Sequence, residues 1–533
     1  MGRVPASLPL RDYVIEEHTT TVCPECLMQD AHGAWGEGAW VDGMLAVRRG
    51  SVWLRRFCPR HGESESLYEE DAALWRARRG WEAAPLAMTP DRPGNSAPFP
   101  QGYADGLPAS HGQHTCLLLL NVAQVCDHGC PACYAGAPQP STALSQGGGA
   151  SEAEWPPLAA VLHTVDEVIR REGGKLGVLM LSGGEPALRP DLPELLDALS
   201  GLPITRVMLN TNGLRIASDD ALLALLARHR RQVEVYLQFD GLRGSTHLAL
   251  RGEDLSATKL AALSRLSGAR IPTTLVAAIA RGVNEDEVGA LIRLGLESPY
   301  CTGLALQPLF GSGRALPFDP CDRATPTGIL RRLKEQTGGM LSAADFIPLP
   351  CSHRDCCDIT YLVRSGRGRW QPLPRLIGRE RLKRWLSLVA NTVTFEDLSA
   401  PALSAVLGGP LRRVFSQQLS AASPQLAADV AALCAKLPRM RLLVEGLQRS
   451  LITCCAGQSE ADGEAAEQAL DELAQRTFRI TIKMFMDAHR VHSARLRQCC
   501  THVGTFESDP RRYPFCWRWL IPGLTDFGGG GGA

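Results

Sequence analysis

No run of apolar residues in this 533-residue chain approaches the ~20 that a membrane helix needs. No bilayer-crossing helix is therefore expected. Charge of one sign is not in excess either, since 56 Lys+Arg meet 56 Asp+Glu. A general nucleic-acid binder draws its affinity from surplus positive charge, which sets that class aside. The opening residues MGRVPASLPLRDYVIEEH lack a charged stretch followed by an apolar core, so no secretory signal is expected. Ala6 stands where a myristoylation signal wants Ser or Thr. No internal repeat stands out. These absences point to the cytoplasm, where the 18 cysteines would seldom pair as disulfides. Their spacing points to metal instead.

The length allows roughly three or four domains. A Pro/Gly/Ser-rich stretch over residues 88–113 reads as a linker, and a second over 135–150 as a surface loop. Between them and beyond, strand-like runs at 116–122, 176–182, 204–211, 233–239, 273–280 and 303–310 alternate with helical segments. Strands apolar on both faces and separated by helices predict a parallel sheet covered by helices. Six such units predict an α/β fold, a partial (β/α)6 barrel of the TIM type, with its chemistry at the C-terminal ends of the strands. The expected division is 1–87, a small metal-binding ribbon-like domain; 88–113, linker; 114–316, barrel; 317–380, a Cys-containing extension; 381–526, a mostly helical, Cys-containing C-terminal domain; and 527–533, a disordered Gly tail. Helical spacing is read over 422–437, 439–452 and 463–490, and the segment 456–466 reads as an added loop.

The sequence CDHGCPACY places Cys126, Cys130 and Cys133 as C-x3-C-x2-C directly after the first barrel strand. Three thiolates this close can wrap one face of an iron–sulfur cubane and leave the fourth iron without a protein ligand. By itself the spacing would also suit a zinc knuckle. The stretch GGEP (Gly183, Gly184, Glu185, Pro186) after the second strand is unexplained on that view. Taken together, CxxxCxxC and GGEP resemble the radical S-adenosylmethionine (SAM) superfamily. That resemblance implies a [4Fe-4S] cluster on Cys126, Cys130 and Cys133 whose open iron chelates SAM. One electron then cleaves SAM to methionine and a 5′-deoxyadenosyl radical, which abstracts hydrogen from substrate. It further implies that Gly183 to Pro186 bind the SAM amino group. Asn210, Asn212, Gln238, Asp240 and Asn284, at the ends of later strands, would line the rest of the cofactor. Ala132 departs from the pattern, because the residue before the third Cys is usually aromatic; Tyr134 follows instead. Asp240 and His247 offer hydrogen bonds to SAM or substrate, with Asp240 as a mere turn former the alternative; Arg251 offers an ion pair to a carboxylate there, or is a solvated surface charge.

CPEC (Cys23, Cys26) and CPRHG (Cys58, His61) read as one tetrahedral mononuclear site of the rubredoxin or zinc-ribbon type, holding Zn or Fe, with a structural role. Beyond the barrel, Cys351, Cys356 and Cys357 together with Cys499, Cys500 and Cys516 suffice for one auxiliary iron–sulfur cluster, or most of two. Neighbours in the pairs 356/357 and 499/500 point opposite ways on extended backbone, which limits each cluster to one of each pair. Cys116, Cys301, Cys321, Cys434, Cys454 and Cys455 show no ligand spacing.

The full set (CPEC, CPRHG, CPACYA, FDGLRGSTHLALRG, CSHRDCCDITYLV and FMDAHRVHSARLRQCC…PFC) resembles a subgroup containing class D radical SAM methylases, the dihydropterin dimethyltransferase-like enzymes, and archaeal tetraether lipid synthases. The resemblance implies carbon–carbon bond formation at an unactivated carbon, foremost a methylation or alkylation, with coupling of lipid tails as the alternative. It also implies a small-molecule or lipid substrate and an electron donor such as flavodoxin or ferredoxin. A non-enzymatic multi-zinc protein is the remaining alternative, and iron content discriminates it.

Overall fold

The computed structural model describes residues 12–29, 37–81, 89–95, 97–138, 155–315, 318–364, 368–390 and 475–520. The expected loop at 139–150, the helices at 422–437 and 439–452, the 456–466 segment and the Gly tail lie outside the described residues.

The N-terminal unit is a four-stranded antiparallel sheet of β1 (Val14–Val22), β2 (Trp40–Arg48), β3 (Ser51–Cys58) and β4 (Gly62–Glu69), in that order. Its two knuckles, at Cys23/Cys26 and Cys58/His61, lie at the same end of the sheet. A separate small core of Leu45, Val52, Leu54, Tyr68 and Trp75 holds the other end.

The six expected barrel strands are present: β5 (Leu117–Ala123), β6 (Leu176–Gly183), β7 (Ile204–Thr211), β8 (Val233–Gln238), β9 (Thr273–Ile279) and β10 (Cys301–Pro308). Each pairs in parallel with the next. The two-residue period divides their side chains. Leu179 and Leu181, Val207 and Leu209, and Val235 and Leu237 pack outward with the covering helices in one core. Met180, Met208, Tyr236, Val276 and Ala305 pack inward in another. A helix such as Leu158–Arg171 meets the outer core with Val161, Val165 and Val168.

Two further parallel strands extend this arc. The expected helix over 463–490 is, from Thr477, the strand β14 (Thr477–Lys483), which lies parallel to β10 and antiparallel to β12 (Cys357–Arg364). The reason is local alternation: Phe478, Ile480 and Ile482 face the outer core, while Arg479, Thr481 and Lys483 occupy the other face. At the opposite edge, β15 (Thr501–Gly504) lies parallel to β5. The sheet thus has eight parallel strands, both flanking ones supplied by residues 477–520. Small antiparallel strands β11 (Ile347–Pro348), β13 (Trp370–Pro372) and β16 (Arg512–Pro514) finish its edges.

The stretch expected to link ribbon and barrel is packed into the fold. Asp91 is buried and receives Arg171 and Arg512 at 3.0 and 2.8 Å, while Tyr103, Leu107 and His111 are buried beside it. The ribbon docks on the C-terminal segment through Arg56, which donates to the carbonyls of Ala488 and His489 at 3.2 Å each. Among the described residues no helix is long and apolar enough to cross a membrane.

Candidate active site and metal centres

The barrel interior is layered. At the N-terminal end of the strands, Arg206 and Glu234, both fully buried, pair at 3.1 Å, and Arg479 reaches the same carboxylate. This ion cluster plugs the floor. The apolar inward core lies above it. At the C-terminal ends the interior turns polar: Tyr134 Oη and Ser182 Oγ lie 3.4 Å apart, Asn210 donates to Ser182 at 2.9 Å, and Gln238 donates to Asn210 at 2.8 Å.

Cys126, Cys130 and Cys133 hang on the loop that leaves β5 at this polar mouth. The loop is held by its backbone. Cys126 N–H donates to Pro138 O, and Arg314 donates through Nε to Cys130 O, through Nη1 to Ala137 O and through its own N–H to Cys133 O. Burial, then the charge of Glu185, pushes the Cys126 thiol up to about 12. A thiolate there needs a cation to hold it, which is the condition a metal cluster meets. Arg251 and Cys130 act on one another electrostatically, and Asn212 Nδ2 is 3.9 Å from Cys126 Sγ. The donor set therefore fits an iron–sulfur cluster. Tyr134 turns away from the loop into an aromatic group, 5.1 Å from Trp519 and 5.9 Å from Phe310.

Gly183 and Gly184 explain themselves by contact. A Cβ at Gly183 would lie 2.1 Å from Ala123 O and one at Gly184 2.0 Å from Val125 O, so only glycine lets this turn abut the strand that feeds the cysteine loop. Glu185 is buried, and its carboxylate accepts from Ala187 N–H at 2.9 Å and Asn212 N–H at 2.6 Å. It ties the ends of β6 and β7 together. Pro186 opens the short turn beyond it. Asp240 is buried in a two-point ion pair with Arg251, at 2.5 and 2.8 Å, and also accepts from Ala278 N–H. Asn284 spends its amide on three backbone partners, Ala278 O, Ala280 N–H and Asp240 O. These last three side chains brace the mouth, while Asn210, Asn212 and Gln238 are the expected residues that remain half-buried there. His247 is likewise buried, bonded to Gly241 O.

In the ribbon, His61 Nδ1 lies 3.4, 3.3 and 3.6 Å from the sulfurs of Cys23, Cys26 and Cys58. Four donors converging on one point, three of them sulfur, suit a tetrahedral ion.

Six of the nine remaining described cysteines fall into two groups, and Cys301, Cys321 and Cys357 belong to neither. Cys351 and Cys500 approach to 3.6 Å, and Cys116 joins them with all three sulfurs within 4.8 Å of one another. His114 Nε2 stands 3.3 Å from Cys116. Sequence spacing misses Cys116, because its partners lie more than two hundred residues away in the chain; its position at the start of β5, next to β15, brings them together. Cys356, Cys499 and Cys516 form the second group, each acting electrostatically on its neighbours, with Arg495 donating to Cys356 at 3.5 Å. The pair 499/500 is thus split between groups, as extended backbone requires. Cys357 is buried in β12, its sulfur 3.6 Å from Asp358 O.

Residues 120–295 match the radical SAM superfamily and residues 15–70 the HMPTM N-terminal zinc ribbon domain. Over 527 residues the chain is 25% identical to 7,8-dihydro-6-hydroxymethylpterin dimethyltransferase of Methanocaldococcus jannaschii, covering 94% of this chain and 93% of that one. A GTP 3′,8-cyclase of Pelotomaculum thermopropionicum is 34% identical over 161 residues, 28% of this chain and 48% of the cyclase. Among solved structures, SuiB of Streptococcus suis bound to S-adenosylmethionine aligns at a TM-score of 0.34 and 14% identity, over 42% of this chain and 47% of that one.

Proposed function

From a chain that joins a zinc ribbon to a radical SAM domain and is thereby an enzyme, we propose a reaction that forms a carbon–carbon bond at an unactivated carbon by methylation or alkylation. The carrying observation is the three-thiol loop of Cys126, Cys130 and Cys133, hung at the polar mouth of eight parallel strands against the Gly183–Gly184 turn. A [4Fe-4S] cluster bound there with SAM would supply the one-electron cleavage that yields a 5′-deoxyadenosyl radical. The protein's own residues do the rest. Arg251, fixed by Asp240, presents a cation beside Cys130 that suits the carboxylate of SAM. The Gly183–Gly184 backbone and the amides of Asn210, Asn212 and Gln238 offer hydrogen bonds to its amino and ribose groups. Phe310, Phe485, Phe515 and Trp519 pack around Tyr134 beside the cysteine loop, and such an apolar wall would keep water from a reactive radical.

The ribbon site suits one Zn or Fe ion in a structural role. The Cys116/Cys351/Cys500 and Cys356/Cys499/Cys516 groups suit auxiliary iron–sulfur clusters. Their electrons would come from a donor such as flavodoxin or ferredoxin in a reducing, cytoplasmic setting.

The long match to a dihydropterin dimethyltransferase supports a pterin as substrate. The polar ring at the mouth favours such a molecule over an alkyl tail. The test is anaerobic incubation of the iron-loaded enzyme with SAM, reductant, 7,8-dihydro-6-hydroxymethylpterin and a methylene-carrying folate or methanopterin as the one-carbon donor, followed by mass spectrometry. A pterin product heavier by one or more methylene units is expected. Formation of 5′-deoxyadenosine with no altered pterin would contradict the substrate assignment.

A further inference from the structure

Six parallel strands of the barrel each leave one residue half-buried near the C-terminal end, and in each case it faces inward: Asn121, Asn210, Gln238, Ala278, Gln307 and Lys483. Below them Leu119, Met180, Met208, Val276 and Ala305 are buried in one apolar cluster. This ring therefore marks where the barrel opens. Its composition is four amides, one methyl and one ammonium, with no carboxylate among its members. Three acids stand at the same strand ends: Glu185 and Asp240 have their oxygens engaged by backbone N–H groups and by Arg251, and Asp127 accepts from Asn212 at 2.6 Å.

The ring has two sides. Asn210 and Gln238 are bonded to one another on the side of Ser182 and Arg251. Opposite them, Gln307 Nε2 and Lys483 Nζ converge on one atom, the Tyr236 hydroxyl, at 3.4 and 3.5 Å, and the ammonium also lies 5.5 Å from the centre of the Tyr236 ring. Both bonds are long, so a better acceptor placed between these groups would draw them in. Directly above, Phe485 follows Lys483 on the same face of the chain, and Phe310 follows Gln307. Their rings lie 5.3 Å apart.

We infer that Gln307, Lys483 and the Tyr236 hydroxyl position the substrate by gripping one carbonyl-type oxygen of a planar heterocycle, whose face packs under Phe310 and Phe485. The inference rests on the pterin reading above and adds the residues that select for it. One ammonium flanked by two neutral donors suits a single polarised oxygen. A phosphate would call for several cations or a cradle of backbone N–H groups. An alkyl chain would exclude water from these polar groups and offer them no hydrogen bond in return.

The experiment is equilibrium dialysis of 7,8-dihydro-6-hydroxymethylpterin against the iron-loaded holoenzyme with SAM present, for wild type, Lys483→Met, Lys483→Arg and Gln307→Leu. Loss of a charge-assisted hydrogen bond weakens pterin binding in Lys483→Met roughly tenfold or more. Lys483→Arg recovers most of it, and Gln307→Leu shows a smaller loss. Iron content and SAM affinity of Lys483→Met stay at the wild-type values, which a purely structural lysine would not allow. Equal pterin affinity in Lys483→Met overturns the inference. So does a parallel loss of iron, SAM and pterin in both Lys483 variants, or a wild type that retains no pterin, or displacement of pterin by inorganic phosphate. Dialysis needs no turnover, so a wild type that binds pterin through Lys483 yet cleaves no SAM would strike the proposed reaction alone.

Discussion

Glu185 sits where two demands meet. Burial pushes its carboxyl up to about 7, against the lowering effect of N–H groups from Asn212 and Ala187. In the unfolded chain the same group titrates near ~4.3. Between those values the folded protein holds a proton that the unfolded chain has released. Stability from this group is therefore fully present below pH ~4.3 and is lost as pH rises from there to about 7, by about 4 kcal/mol across the window. Chemical denaturation at pH 5 and pH 8 should show this decline in the wild type and a flatter profile in Glu185→Gln. Identical slopes would contradict the assignment. At this scale the sequence was only partly legible. Cys126, Cys130 and Cys133 stand in a spacing that declares itself. Asp240 and Asn284 carry the right chemistry for a cofactor, but their hydrogen bonds are spent on Arg251 and the backbone, which no local pattern reveals. Cys116 has no neighbour in the chain to mark it, and only pairing of β5 with β15 joins it to Cys351 and Cys500.

Among elements, the turn after β6 and the loop after β5 act as one unit, because Gly184 N–H donates to Ala123 O and Glu185 N–H to Val125 O. An added Cβ at Gly184 meets backbone oxygen, which cannot swing aside. Gly184→Ala should therefore separate the two segments, cost ~3 kcal/mol and lower the iron bound by the Cys126 loop. Iron and sulfide analysis of the anaerobically loaded protein checks this, and unchanged loading with unchanged stability would contradict it. The six barrel strands were legible because their apolar runs are short, bounded and separated by helices. The strand β14 was not. Its run FRITIK follows a helical pattern, and strict alternation over six residues is outweighed by that context until β10 and β12 supply partners on both sides. The same misreading hid Lys483, because a lysine on a predicted helix surface attracts no attention, whereas on β14 it reaches the barrel interior.

The whole molecule is organised around an incomplete barrel whose two open edges are both taken by the last described segment. Residues 477–520 supply β14 at one edge and β15 at the other. They also carry Cys499, Cys500 and Cys516, pack Trp519 on Tyr134 of the cluster loop and receive the ribbon through Arg56. Ribbon, barrel and C-terminal segment are thus joined by direct contacts. The decisive measurement is 5′-deoxyadenosine formation, by mass spectrometry, after anaerobic iron–sulfide loading and incubation with SAM and a strong reductant, in wild type and Cys126→Ala. The account predicts product from the wild type and a loss to background in a folded Cys126→Ala protein. Equal SAM cleavage by both would contradict it.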